Sequence, residues 1–335
     1  MIKLHAHHRA GIASALALSL LVAAPAIAQQ AGFPYTDENC GVTTTYEAAP
    51  ERAVTLSSNA TELMLALGLK DRMAGTSYMA NLTISPVYAD AYAAVPIISP
   101  LVATTEELIE AEAEADFVYA GYPDGFSESR HTRDQLHDLG MKTRLNTEGC
   151  NLGPFGFSEL FAEIGSVASI FGVPDRGAAL VEELSGRLDA VTRDLEGVEP
   201  ISVFIYNGGD TTPNAVLGHT LLSQAVAAAG GENIFADVAN RYGQVSWEQI
   251  AEREPEFIVV FYSGTASGQI VADPDTELGQ ARIDLLKATP AISEVPAIRN
   301  ERFILIDSVK GQPGPSTLDA VEAMARAFHP DAFGA

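Results

Sequence analysis

Beyond residue 28 the chain holds four histidines (His131, His137, His219, His329) and two cysteines (Cys40, Cys150). These are the residues best suited to metal or nucleophilic chemistry, and their spacing does not assemble it. No two histidines stand four apart as on a zinc-binding helix. His131 and His137 read as surface residues of a polar helix. So few histidines also speak against capture of a bare zinc or manganese ion, which needs several protein ligands at one point. Gly264–Gly268 (GTASG) resembles a nucleophile elbow, but Ala266 stands where a serine is required. Neither a phosphate-binding GxxxxGK[ST] loop nor a GxGxxG turn after a strand is present. The cysteines form no Cys-x-x-Cys, so they point to a staple and not to a redox centre. A resident metal or cofactor is therefore not expected, and neither is catalysis.

What is left is recognition by aromatic rings. Tyr78, Tyr122, Tyr206 and Tyr262 each follow a strand-like apolar run. Tyr242 and Trp247 lie before and at a helix start. In open α/β sheets ligands bind outside the carboxyl ends of the strands. These six residues are candidates for a cleft suited to a bulky, partly apolar ligand. Arg130 and Arg241 are candidate partners for its charges.

The elements that must position them alternate. Strand patterns fall at 52–57, 72–77, 96–98, 116–120 and 142–146, with helices at 61–68, 105–113 and 129–139 between them. The rhythm restarts with strands at 201–206, 256–262 and 302–306 and helices at 217–229, 246–253, 278–288 and 316–328. Strands separated by helices imply parallel βα units. Asn59 and Glu62 fit a capping box at the first helix. Between the halves, residues 157–197 read as two helices split at Gly172–Pro174. The second carries Ala178, Leu180, Val181, Leu184, Leu188, Val191 and Leu195 at three- and four-residue steps, one buried stripe. The fold class is α/β: two Rossmann-like lobes, 29–156 and 198–335, joined through a helical connector (157–197) by one long rigid helix, with a ligand cleft between the lobes.

Residues 1–28 read as a secretory signal: Lys3 and Arg9, an apolar run, Pro25, and an Ala26–Ala28 cleavage site. The run is short for a membrane span and no later segment approaches one. The expected product is an exported, periplasmic protein, monomeric and not inserted in a membrane. Losing Lys3 and Arg9 takes the net charge from −24 to −26. Such an acidic chain would repel nucleic-acid phosphates. Export also favours a Cys40–Cys150 disulfide closing a loop of roughly 110 residues, worth up to about 4–5 kcal/mol.

Residues 51–62 (ERAVTLSSNATE), the helix ending in ALGL, and DRMAGT at 71–76 resemble one family: substrate-binding proteins of bacterial importers for ferric siderophores, haem and cobalamin. Residues 229–237 (AGGENIFAD), 245–250 (VSWEQI) and 254–260 (EPEFIVV) repeat the likeness, which spans about residues 38–328. Ser58, Ala115 and Glu256 depart from the usual pattern. The resemblance implies two lobes joined by a long helix and a metal chelate as ligand, its metal arriving inside it. It also implies delivery to an ABC permease with its ATPase, with one glutamate per lobe docking on permease arginines. Glu248 holds the second-lobe position, and Glu107, with Glu106 as the alternative, the first. The chelate class stays open among siderophore, corrinoid and haem. A secreted chelatase-like enzyme, or a carrier or sensor not coupled to an importer, is the alternative.

Overall fold

The structure, a computed structural model, describes residues 32–77, 84–110, 114–262, 265–266, 269–270 and 277–334. Residues 1–28, which the sequence reading takes as a secretory signal, and Tyr78 lie outside them.

A hairpin absent from the sequence reading comes first: β1 (Tyr35–Asn39) pairs antiparallel with β2 (Val42–Tyr46). Its two turn residues, Cys40 and Gly41, both have positive φ, 54° and 77°. This is the tight turn whose twist matches right-handed strands. Cys40 is bonded to Cys150, as expected from export. Replacing both cysteines with serine frees a loop of 110 residues. The unfolding free energy is then expected to fall by about 2–4 kcal/mol, read from the urea midpoint at constant slope. An unmoved midpoint would mean that the noncovalent contacts of the hairpin suffice.

The first sheet is wholly parallel, in the order β5-β4-β3-β6-β7. Its strands are β3 (Ala53–Leu56), β4 (Met73–Ser77), β5 (Ile97–Ser99), β6 (Phe117–Ala120) and β7 (Lys142–Leu145). Helices α1 (Ser58–Ala66), α2 (Ala89–Tyr92), α3 (Thr105–Ile109) and α4 (Arg133–Asp138) fall between them. Every residue of β3 and β6 is buried, as both-sided coverage of a parallel sheet requires. The hairpin shields the outer edge: Asn39 donates to Leu145 O and accepts from Leu145 N, both at 2.9 Å.

Three local expectations are corrected here. The helix read over 129–139 begins only at Arg133. Thr132 and Gln135 form a capping box there, which stops the helix from extending backward. His131, just before that cap, is fully buried with its ring 6.5 Å from Phe126, not on the surface. At α1 the cap is Ser57, whose Oγ accepts from Ala60 N, so Asn59 and Glu62 do not form the expected capping box.

Next come α5 (Phe157–Ile170) and α6 (Pro174–Asp194). Gly177 lets them approach, since a Cβ there would lie 2.5 Å from the Ala168 methyl. The stripe on α6 is divided between two cores. Leu180 and Leu184 pack with the first sheet's core, and Val191 and Leu195 with the second's. A helix of 21 residues spans about 32 Å, so one rigid element is rooted in both lobes.

The second sheet runs β11-β9-β8-β12-β15, with β10 also on β8. Its strands are β8 (Ile201–Tyr206), β9 (Asn214–Val216), β10 (Gly231–Asn233), β11 (Tyr242–Gln244), β12 (Phe257–Tyr262) and β15 (Phe303–Asp307). A two-stranded pair, β13 (Thr265–Ala266) and β14 (Gln269–Ile270), precedes β15. Helices α7 (Leu221–Ala228), α8 (Trp247–Glu252), α9 (Glu277–Ala288), α10 (Pro296–Arg299) and α11 (Thr317–Phe328) complete it. β10, β8, β12 and β15 are parallel, while β9 and β11 are antiparallel additions. The helix read from 217 starts at Leu221, where Thr220 caps it.

Candidate functional site

The carboxyl ends of the parallel strands of the two sheets face one another. After β3, Asn59 Nδ2 donates to Pro313 O at 3.3 Å, in the segment that follows β15. After β7, Glu148 reaches across to the start of α7 and to Arg241. The open-sheet rule thus places both ligand-binding edges in the same space. Gly121 ends β6 on this floor. A Cβ there would fall 2.1 Å from both Asn59 Oδ1 and Ser57 Oγ, so no side chain fits.

Tyr122, Arg241 and Tyr242 come together, joined by Glu148, which the sequence did not single out. Arg241 Nη2 donates to Glu148 Oε2 at 2.8 Å, and Leu221 N donates to Glu148 Oε1 at 2.7 Å. The Arg241 guanidinium stands 5.3 Å from the Tyr242 ring centre and feels the Tyr122 hydroxyl. Burial holds the Glu148 carboxyl above its ordinary range, against the pull of Arg241 and the Leu221 amide. Burial also raises the Tyr242 hydroxyl. Arg241 is therefore already neutralised across the lobes before any ligand arrives. No spacing signal marks Glu148, because its partner lies 93 residues away.

The other predicted residues are placed differently. Tyr206 is fully buried at the end of β8, its ring 6.2 Å from Trp247 and its hydroxyl donating to Gly209 O. Burial pushes that hydroxyl up to about 12. Tyr262 ends β12, buried opposite Asp307. Tyr242 sits on edge strand β11 and not in a loop leading into a helix. Arg130 is exposed and donates to Val102 O at 3.0 Å. Tyr78 lies outside the described residues. Among the described residues no group of three or more histidines, cysteines or carboxylates could hold a metal.

A second contact between the lobes involves Glu62. It is fully buried on α1 and accepts from Ser316 Oγ and, at 3.3 Å, from Ser316 N. Burial, opposed by these hydrogen bonds, pushes its carboxyl from 4.5 up to about 7. The folded chain thus keeps a proton that the unfolded chain releases, so stability falls as pH rises from about 4.5 to 7. Glu62→Gln cannot ionise. It is expected to match the wild type near pH 4 and exceed it at pH 8 by up to about 3 kcal/mol. Parallel stability curves for the two proteins would contradict this origin.

The candidate docking helices are built alike. At α3, Thr104 Oγ1 accepts from Glu107 N while Glu107 Oε2 accepts from Thr104 N at 2.7 Å. At α8, Ser246 and Gln249 make the same reciprocal pair. Glu107 therefore matches Gln249, and its carboxylate is engaged in the cap. Glu106 matches Glu248: both are exposed, one residue before the closing member of the box.

Comparison with known proteins agrees with this geometry. The sequence profile of the periplasmic binding protein family matches residues 54–309. The vitamin B12-binding protein of Yersinia pestis (strain Pestoides F) is 26% identical over 219 residues, 65% of this chain and 71% of that protein. A periplasmic binding protein from Veillonella parvula superposes with a TM-score of 0.77 at 24% identity, over 88% of this chain and 97% of the other. The structure of an ABC-type Fe3+-hydroxamate transport system from Saccharomonospora viridis gives 0.72 at 25% identity, over 90% and 100%.

Proposed function

The chain belongs to the periplasmic binding protein family, and from that premise we propose that it captures a metal chelate between its lobes and delivers it to an ABC importer. The observation that carries this reading is the pair of sheets facing each other across one helix rooted in both cores. Similarity to a B12-binding protein and to a hydroxamate transport protein supports a chelate as the ligand. The metal arrives within the chelate, and the protein works without catalysis and without a cofactor of its own. The leader places it in the periplasm, where it acts as a monomer. No helix among the described residues is long and apolar enough to cross a membrane.

For docking we propose Glu106 with Glu248. A carboxylate that points outward can meet a permease arginine, whereas Glu107 would have to leave its cap to do so. Ligand contacts are assigned to Tyr122, Tyr242 and Arg241, with Tyr206, Trp247 and Tyr262 shaping the second-lobe wall. Arg130 is assigned to the first-lobe rim, and Tyr78 stays a candidate ligand contact on its sequence position alone.

The test is a fluorescence titration of the mature protein through Trp247, with ferric hydroxamate, catecholate and carboxylate complexes, cobalamin, cobinamide and haemin. Saturable one-to-one quenching by one class at micromolar concentration or below is expected. A folded protein that responds to none of them contradicts the reading.

A further inference from the structure

Among the described residues, three cations near the facing sheet edges are matched by carboxylates, and exposed Arg130 and half-buried Arg282 are not. Arg241 pairs with Glu148, Lys310 with Asp307, and Arg187 with Asp319 and Glu322. Arg282, on α9, has no ion pair among the described residues. Its Nη1 donates to Phe261 O at 2.6 Å, at the end of β12. That is a single bond from a group with five N–H donors. Its other side lies over Gly208, in the turn after β8, where a Cβ would come within 3.2 Å of Nη2. Gly208 has φ of 97°. Both the backbone angle and the guanidinium therefore call for glycine at this position.

Arg282 is half-buried, unlike exposed Arg130, so it loses hydration that no ion pair among the described residues replaces. Burial holds its guanidinium below its ordinary range, and the Tyr206 hydroxyl and the Asp210 carboxylate act on it only through space. A desolvated cation with free N–H groups is stabilised by an oxyanion brought to it. Phe261 and Gly208 both lie at the carboxyl end of the second sheet, the end that faces the first lobe.

We propose that Arg282, seated on Gly208 at the mouth of the second sheet, is an anion subsite that receives a carboxylate or other oxyanionic group at the periphery of the chelate. Nη1 stays on Phe261 O, and Nη2 and Nε turn to the anion as a two-pronged donor. Arg241, engaged by Glu148, is not that subsite. The inference rests on the chelate-binding reading and narrows it to chelates with an anionic edge.

Matched ligand pairs test it: haemin against haemin dimethyl ester, and cyanocobalamin against its monocarboxylic acid, each with wild type, Arg282→Gln and Arg282→Lys. In whichever pair binds, the wild type is expected to prefer the carboxylate member about 10- to 100-fold. Arg282→Gln erases that preference while leaving affinity for the neutral member unchanged, and Arg282→Lys retains part of it. Equal affinity for both members in the wild type overturns the subsite. So does a uniform loss for both members in Arg282→Gln, which marks a packing role. If no chelate in either pair or in the wider panel binds the wild type, the chelate-binding reading itself fails, a different result from either of these.

Discussion

A chain carrying Glu106→Arg and Glu248→Arg together is expected to bind its chelate with wild-type affinity and to support uptake at least about 100-fold more slowly in cells holding its importer. The two carboxylates stand at the same position of two helices with the same cap, one helix in each lobe. Reversing both replaces two attractions with two repulsions. Glu107→Arg is the control. It removes the acceptor of the Thr104 amide and should cost about 0.5–2 kcal/mol of stability while uptake survives. Full uptake by the double variant, or loss of uptake in Glu107→Arg at a temperature where it is folded, would refute Glu106 as the docking residue.

Arg144→Met should be among the most destabilising single changes in the chain. Arg144, on β7, is 2% exposed and extends its side chain to α5. It donates to Asp37 of the hairpin and twice to Glu163, at 3.2 and 2.8 Å. Glu163 also accepts from Tyr119 at 2.7 Å and from Thr147. Burial would raise the Glu163 carboxyl, but the Arg144 charge together with the hydrogen bonds from Arg144, Thr147 and Tyr119 more than offsets it and leaves the group below its ordinary range. Methionine fills the space yet strands two buried carboxylates. A loss of about 3–5 kcal/mol follows. The loss should shrink at acid pH, where the Glu163 carboxyl, no longer held low by Arg144, can take up a proton in the variant. A loss under about 1 kcal/mol at pH 7 would mean that water or a neighbouring group replaces the arginine.

The parts of this fold legible in the sequence are those fixed by runs of one residue type. Phe257–Tyr262 is apolar throughout and is a buried central strand. Pro174 opens α6, whose periodic leucines run into both cores. The hairpin, β9 and β11 were not legible, because they are only three to five residues long and none carries a sustained apolar run. Helix starts went wrong where the cap residue lay inside the expected helix, as Thr132 and Thr220 do. The site divides in the same way. Tyr122 was singled out by its place after a strand and Tyr242 by its place before a helix, and the structure sets Tyr242 on β11 with its ring 5.3 Å from the Arg241 guanidinium. Glu62, Glu148 and Arg282 could not be found from position, since each is defined by a partner across the fold: Ser316, Arg241 and the Phe261 carbonyl. For Glu62 the local motif was misleading, because a capping-box spacing was present and the side chain turned instead to the other lobe.

The most direct measurement of the central claim is an anomalous difference map from crystals grown with whichever chelate binds in the titration, collected at the absorption edge of its metal. The account predicts one metal peak per chain, between the carboxyl ends of the parallel strands of the two sheets, within reach of Tyr122, Tyr242 and Arg282. A peak on the outer faces of the lobes, or one held directly by protein side chains in place of a chelate, would contradict it.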